Sequence, residues 1–372
     1  MRQLISAPLE DHRMNKQETC MPSHACAYVI LLSFLGVAPT VIGAAESGAA
    51  QAGYHVIARY EIGGAESGYD YLHVDTASRR LFVAHGTKVE VLNVDSGTRL
   101  GQLEGLRGVH GVEIVKSPLQ AFATNGLDRT VTVFDPVSLR VTRTIKYAGI
   151  KPDSLQYDST SDRLFVVNGG ATGDLTVIDP HTGAIVATVD LAGGKLEQIA
   201  FDGSGRGFVN DEEKNVVHVF NTRTLAVIGE WPLSPGEGPT ALGIDRNHHR
   251  LFSACGNNLL VVVDAETGRV LDSPPIGADP DGLIFDPVSG HIFTSNRDST
   301  LSVLHEKSPG HYAVLQTVKT ESGARTIGFD ETTGHIFLPA AQFGPTPAAT
   351  KEVPEPRAPI VPASFAIVVL GR

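Results

Sequence analysis

The sequence predicts an all-β fold, a seven-bladed β-propeller with four-stranded blades. Three observations predict it. The first is the unit from Lys151 to Leu191. Lys151-Pro152-Asp153 is a turn signal, followed by the short apolar run Ser154-Leu155-Gln156-Tyr157 ending at Asp158. Arg163-Leu164-Phe165-Val166-Val167-Asn168, Leu175-Thr176-Val177-Ile178-Asp179 and Ile185-Val186-Ala187-Thr188-Val189 come next, separated by a Gly-rich loop and by Pro180-His181-Thr182-Gly183. Four short strands joined by tight turns make one blade. The second observation is periodicity. The phenylalanine of the second strand recurs at Phe82, Phe122, Phe165, Phe208, Phe252, Phe293 and Phe337, at spacings of 40, 43, 43, 44, 41 and 44 residues. Chance does not place seven of 15 phenylalanines so evenly, and a period in the low forties marks a propeller. The third is that the two ends complement each other. Tyr54–Ile62 reads as a fourth strand with no blade before it, and the last repeat stops after three: Thr326–Phe329, Ile336–Leu338 and Phe365–Val369. Tyr54–Ile62 is expected to complete the seventh blade and remove two open edges.

Residues 1–45 read as a signal peptide. Ala27–Val41 is an uncharged apolar run, and Gly43-Ala44-Ala45 supplies small residues for cleavage. The segment before it is long, with Arg2, Arg13 and Lys16, and Met14 is an alternative start. The run is short for a membrane span and Pro39 interrupts it, so export is expected rather than an anchor. The compartment expected is the periplasm or exterior of a Gram-negative bacterium. Cys20 and Cys26 fall in the leader, leaving Cys255 as a lone thiol that cannot form an internal disulfide. Residues 46–53 read as a flexible Ala/Gly/Ser-rich linker, and 54–372 as the propeller.

Lys plus Arg number 30 and Asp plus Glu 41, a net charge of −11 to which the leader contributes nothing. That balance argues against nucleic acid or an anionic membrane as partner. The inner strands end at Asp75, Asp158, Asp202, Asp245, Asp286 and Asp330, and the third strands at Asp95, Asp135, Asp179, Asn221 and Asp264. Such side chains bond the backbone of the turn that follows, so they recur because turns recur. Blade two departs, with Val115-Lys116-Ser117-Pro118. Pro339–Pro362 carries seven prolines and is expected as an extended, partly disordered loop or flap outside the ladder.

Propeller topology brings the loops leading into the first strands and those joining second to third strands to one face. The first set (Asp70, His110, Asp153, Glu197, Thr240, Asp281 and Arg325) is expected to ring the mouth of the central channel. The second set (His85, Asn125, Asn168, Asn210 with Asp211, Cys255, Asn296 with Asp298) is expected one step outward. Crowded carboxylates raise one another's pKa or recruit a cation. Alternatively they cap turns and pair with Arg325 and water. His85, His110 and Asp70 are the metal candidates. Oxygen ligands would suit calcium, and two imidazoles with a carboxylate zinc or copper; otherwise they are surface histidines. His248-His249 belongs to a turn on the opposite face, and Cys255 reads as a small buried apolar residue.

The sequence contains no Gly-x-Ser-x-Gly elbow, Ser-x-x-Lys, His-Glu-x-x-His, phosphate loop or Cys-x-x-Cys-His. Units such as Arg163–Asn168 followed by Leu175–Gly183 resemble YVTN-type repeats, and the chain from Tyr54 to Arg372 resembles the YncE family of exported bacterial seven-bladed propellers. Phe-Val-Val-Asn, Phe-Ala-Thr-Asn and Phe-Thr-Ser-Asn replace the Tyr-Val-Thr-Asn of the repeat name. The resemblance implies the fold and an exported location. It implies a non-enzymatic role, with DNA binding attributed to one branch, which the acidity here opposes. Two functions are therefore expected to compete. One is a ligand- or protein-binding scaffold, a monomer, acting through the mouth face. The other is a metal-dependent lactonase or related hydrolase, with a divalent ion held among Asn125, Asn168, Asn210, Glu197 and Asp281. An accessory role beside a quinoprotein or haem enzyme is a third reading, but no residue here holds such a cofactor.

Overall fold

The computed structural model describes residues 53–64, 68–146, 150–170, 173–351, 354 and 356–372. The leader expected over 1–45, and the linker expected over 46–53 except Gly53, lie outside the described residues. The described chain is all-β: seven four-stranded antiparallel sheets, with no helix. No described helix is long and apolar enough to cross a membrane.

Blades one to six run in chain order, each taking four consecutive strands. Blade three has Pro152–Asp158 innermost, then Arg163–Asn168, Asp174–Ile178 and Ile185–Asp190 outermost. Burial explains its sequence. Leu164, Phe165, Val166 and Val167 are fully buried, because the second strand is covered on both faces. The outermost strand is largely exposed, with Ile185 and Val186 reaching solvent. The seven periodic phenylalanines are all fully buried, each opposite a valine of the third strand, from Phe82 against Val91 to Phe337 against Val369. Truncating one such ring to alanine costs about 3–5 kcal/mol. The turn aspartates behave as their recurrence implies: Thr160 and Ser161 each donate a backbone N–H to Asp158 at 3.1 Å, and Val137 and Ser138 to Asp135 at 2.9 and 2.7 Å.

The apolar core is divided between blades rather than within them. Seven clusters of buried residues occur among the described residues, and each draws on two adjacent blades. Leu81, Val83 and Leu92 of blade one pack with Phe337, Phe365 and Ile367 of blade seven, so the array closes into a ring.

Closure uses the strand expected for it. His55–Glu61 pairs antiparallel with Ala366–Gly371 and becomes the outermost strand of blade seven. Both neighbouring blades hold it. Gln316 of blade six accepts from the Tyr54 N–H at 2.9 Å and donates to its carbonyl at 2.8 Å. The Tyr54 ring meets Phe293 edge-on at 5.1 Å. On the other side the Tyr60 hydroxyl reaches the carbonyls of Val94 and Asp95 of blade one, both at 3.1 Å.

The proline loop needs one correction. Pro339 lies within the second strand of blade seven, His335–Ala340, opposite Ile367. It is tolerated because the inner strand pairs only from Gly328 opposite Phe337 onward, so no ladder partner awaits an N–H from residue 339. The remainder doubles back on itself. Gly344 donates to the Pro359 carbonyl and Val361 to that of Gln342, both at 2.8 Å, around a bridge between Phe343 and Ile360.

Gln316→Ala removes both hydrogen bonds to Tyr54 and leaves the strand pairing intact. It is expected to lower the unfolding free energy by about 1–2 kcal/mol, measured by urea denaturation. An unchanged midpoint would show that pairing with Ala366–Gly371 alone closes the ring.

Candidate functional site

The mouth residues are set in place by a repeated lead-in turn. Two residues before six of the seven stands a residue in the left-handed region: Gly68, Gly108, Lys151, Gly238, Asp279 and Gly323, with φ between 56° and 91°. Glycine suits such a turn without steric cost. Lys151 and Asp279 adopt it at φ 56°, a conformation that costs about 1–2 kcal/mol for other residues, and both side chains line the mouth.

Hydroxyls then fix the backbone. Thr326 donates to the Asp70 carbonyl at 2.7 Å, Thr124 to that of Asp153 at 2.6 Å and Ser154 to that of Glu197 at 2.9 Å. Thr240 donates to the Pro280 carbonyl at 2.7 Å, beside Asp281. Each donor belongs to the blade before its acceptor.

Asp70, His110, Asp153, Glu197, Thr240, Asp281 and Arg325, one from each blade, all line one cavity of about 290 Å³. The expected first ring is thus assembled at a single opening. Tyr71 lines both this cavity and the 660 Å³ channel beneath. Burial, then the charges of Asp153, Glu197, Asp70 and Asp281, push its phenol well above the ordinary value.

The charges pair around the opening. His110 Nδ1 lies 2.7 Å from Asp70 and 3.6 Å from Asp153. Burial opposes its charge, but the Asp70 bond and the Asp153 carboxylate outweigh burial and raise its pKa. Arg325 reaches Asp70 at 3.4 Å and Asp281 at 2.8 Å, and Arg297 reaches Asp281 at 2.8 Å. Burial alone would raise the Asp281 pKa; the two guanidinium groups hold it low instead. Lys151 pairs with Asp153 at 3.2 Å. Lys195 holds Glu197 at 2.8 Å and also reaches Glu212. Glu197 and Glu212 hydrogen-bond to each other, and burial of Glu197 makes it the carboxyl that keeps the proton, pushed up to about 8.

Six carboxyls line the cavity (Asp70, Asp153, Glu197, Glu212, Asp279, Asp281), with five permanent cations (Lys151, Lys195, Arg297, Arg325, Arg357) and His110. With one proton shared by the Glu pair, five negative charges face five permanent positive ones among the described residues, and the raised pKa of His110 adds to the positive side. The opening is nearly neutral despite the acidity of the chain.

The second set, expected one step outward, does not line this opening, and its side chains turn into the sheets. Asn125 donates to Thr130 and Thr132 at 3.0 and 2.9 Å, and Asn296 to Thr300 and Ser302 at 3.0 and 3.1 Å. Asn168 bonds Asp174 and Thr176, and Asn210 the Ala241 carbonyl and Ser253. These amides are buried and tie second strands to third strands or to the next blade. Strand side chains point to the two faces of a blade, and neighbouring blades cover both, so a residue ending the second strand faces a blade rather than the axis. His85 is likewise buried, 3.2 Å from Glu90, its ring 4.7 Å from Phe365. Asp211 accepts from His218 at 2.9 Å, and Asp298 from the Ala278 N–H at 2.7 Å. Cys255 is fully buried, and burial pushes its thiol up to about 12.

A metal would find a different set from the one expected. Asp70, His110 and Asp153 have ligand atoms within 4.8 Å of one another, and His85 is not among them. An ion there would displace the proton of His110 and compete with Arg325 and Lys151 for the carboxylates.

Sequence reasoning missed Lys151, Lys195, Glu212, Asp279, Arg297 and Arg357 as mouth residues. A signal existed for three of them: Lys151, Lys195 and Asp279 each stand two positions before a mouth residue. Arg297 follows the second strand of blade six, where attention went to its neighbour Asn296.

No family model matches this sequence, and no curated protein does. Among solved structures, a chain in the crystal structure of the Mitotic Checkpoint Complex superimposes with TM-score 0.69 at 14% identity, covering 92% of this chain and 99% of that one. The likeness is one of fold. As 1812 solved chains match, it does not select a function.

The Glu197 proton has a thermodynamic consequence. A carboxyl whose folded pKa lies above its ordinary 4.5 stabilises the fold below that value, and the contribution is lost as pH rises toward about 8. The lowered Glu212 pKa acts in the opposite sense but belongs to the less buried partner. Glu197→Gln is expected to flatten the fall in melting temperature as pH rises from 4.5 to about 8, the window between those values. Parallel profiles for variant and parent would refute proton sharing.

Proposed function

We propose that this chain is an exported scaffold that binds a protein or small ligand through its mouth face. One observation carries the reading: seven blades each deliver a residue to one opening whose backbone is fixed before any partner arrives. Preorganisation of this kind favours binding because little ordering remains to be done. The near balance of charge suits a partner presenting both signs, with its cationic groups toward Asp153 and Glu197 and its anionic groups toward Arg297 and Arg325. Propellers commonly act as protein-binding scaffolds, which supports the reading at the level of fold. The YncE-like repeats and the apolar run at 27–41 support export.

Expression in a Gram-negative host tests both parts. The protein is expected in the periplasmic fraction with a mass lacking residues 1–45; a cytoplasmic, uncleaved chain would overturn export. Cross-linking in that fraction is expected to give a defined adduct lost in Asp153→Asn/Glu197→Gln and retained in Asp128→Asn. An adduct retained by the mouth variant would overturn binding at this face.

The cluster of Asp70, His110 and Asp153 favours a second reading, a metal-dependent lactonase or related hydrolase. A divalent ion there would polarise a lactone carbonyl and acidify its bound water. About one bound metal per chain after dialysis, with chelator-sensitive lactone hydrolysis, is its expected outcome. Far less metal and no turnover would eliminate it.

A further inference from the structure

Beside the mouth, under the folded-back proline loop, lies a second cavity of about 640 Å³. This is within the range of sites that enclose small organic ligands. One wall is cationic, made by Arg297, Arg325 and Arg357. The other is apolar, made by Tyr69, Phe343, Pro359 and Ile360. No carboxylate lines it among the described residues.

The apolar wall is shaped rather than incidental. Tyr69 is buried, stacked on Phe365 at 4.7 Å and bonded through its hydroxyl to the Gly323 carbonyl at 2.7 Å. Gly323 adopts φ +75°, and a Cβ there would stand 2.3 Å from the Phe343 ring and 2.7 Å from the Tyr69 hydroxyl. Only glycine leaves room for both rings to approach. Phe343, 42% exposed, presents its free part beside the cavity.

The charges define the occupant. Arg297 and Arg325 are held from the mouth side by Asp281. Arg357 forms no ion pair among the described residues. Among the described residues one guanidinium facing an aromatic wall thus has no carboxylate partner, which matches a single negative charge on an apolar body. Guanidinium binds carboxylate through paired N–H donors, which favours that anion over a spherical one.

We infer that this cavity binds a small aromatic monocarboxylate, its carboxylate on Arg357 with Arg325 and Arg297 behind, its ring against Phe343 and Tyr69. The site does not rest on the mouth-binding reading, although Arg297, Arg325 and Arg357 contribute to both cavities and only the apolar wall is its own.

Isothermal titration of the full propeller with 1-naphthylacetate, and with 1-naphthylacetamide as its neutral counterpart, tests it. The acid is expected to bind saturably and at least about tenfold more tightly than the amide. Arg357→Gln, on an exposed side chain with no ion pair among the described residues, is expected to abolish that preference while leaving the melting temperature unchanged. Phe343→Ala is expected to weaken both ligands, and Glu197→Gln at the mouth to leave both unaffected. No binding of the acid at millimolar concentration, equal binding of acid and amide, or an unchanged preference in Arg357→Gln would each overturn the proposal. Loss of acid binding in Glu197→Gln would place the ligand in the mouth and overturn it also.

Discussion

The hydroxyl of Thr326, 2.7 Å from the Asp70 carbonyl, joins the last blade to the first at the axis of the ring. It is one member of a set. Thr124 accepts from the Gly111 N–H at 2.9 Å while donating to Asp153, and Ser154 and Thr240 make the corresponding links further round. Innermost strands have a sheet partner on one side alone, so their other backbone groups need donors from outside the blade. Supplying those donors from the preceding blade couples four of the seven mouth positions to their neighbours. The backbone beneath Asp70, Asp153, Glu197 and Asp281 is thereby tied to the preceding blade, and the seam between the chain ends is joined in the same way as three other blade junctions.

That rigidity decides how charge can be arranged. Buried charges are tolerated only when paired. Asp281 meets this requirement with two guanidinium groups, and Glu197 by keeping its proton against Glu212 and Lys195. The His110 imidazole answers both Asp70 and Asp153. The opening is therefore self-neutralised before any ligand arrives. A lone cation gains less there than the count of carboxylates suggests. A partner gains by exchanging its own ion pairs for those already present, which rewards a matched pattern of charge more than total charge.

The ring was legible because it repeats. Phenylalanines at a steady period, turn aspartates and complementary ends each report the same unit, and the seven inter-blade clusters follow from it. The first mouth ring was legible because topology alone sends each lead-in residue to the axis. Other features were hidden by details of one residue. Asn125 and Asn296 spend their amides on hydroxyls of the third strand, and His85 is claimed by Glu90 five positions later. Lys151 and Asp279 sit where glycine is the usual choice, so their left-handed turns gave no compositional cue. Arg357 is brought to the mouth by a loop whose fold depends on the bridge between Phe343 and Ile360, a contact no repeat encodes.

A ring of seven similar blades offers seven similar positions, and selectivity has to come from departures. They gather at one sector. The arginines of the mouth come from blade six, blade seven and the proline loop, while its lysines come from blades three and four. The loop interrupts blade seven between its second and third strands, on the same face as the mouth. Blade seven is also where the N-terminal strand is added, so its ladder is held by two distant parts of the chain. An insertion of this length costs little in closure entropy when its ends emerge from paired strands and its own legs pair. The seam that closes the ring thereby anchors the element that breaks its symmetry, and the direction of that asymmetry, arginine and aromatic rather than acidic, is opposite to the net charge of the chain.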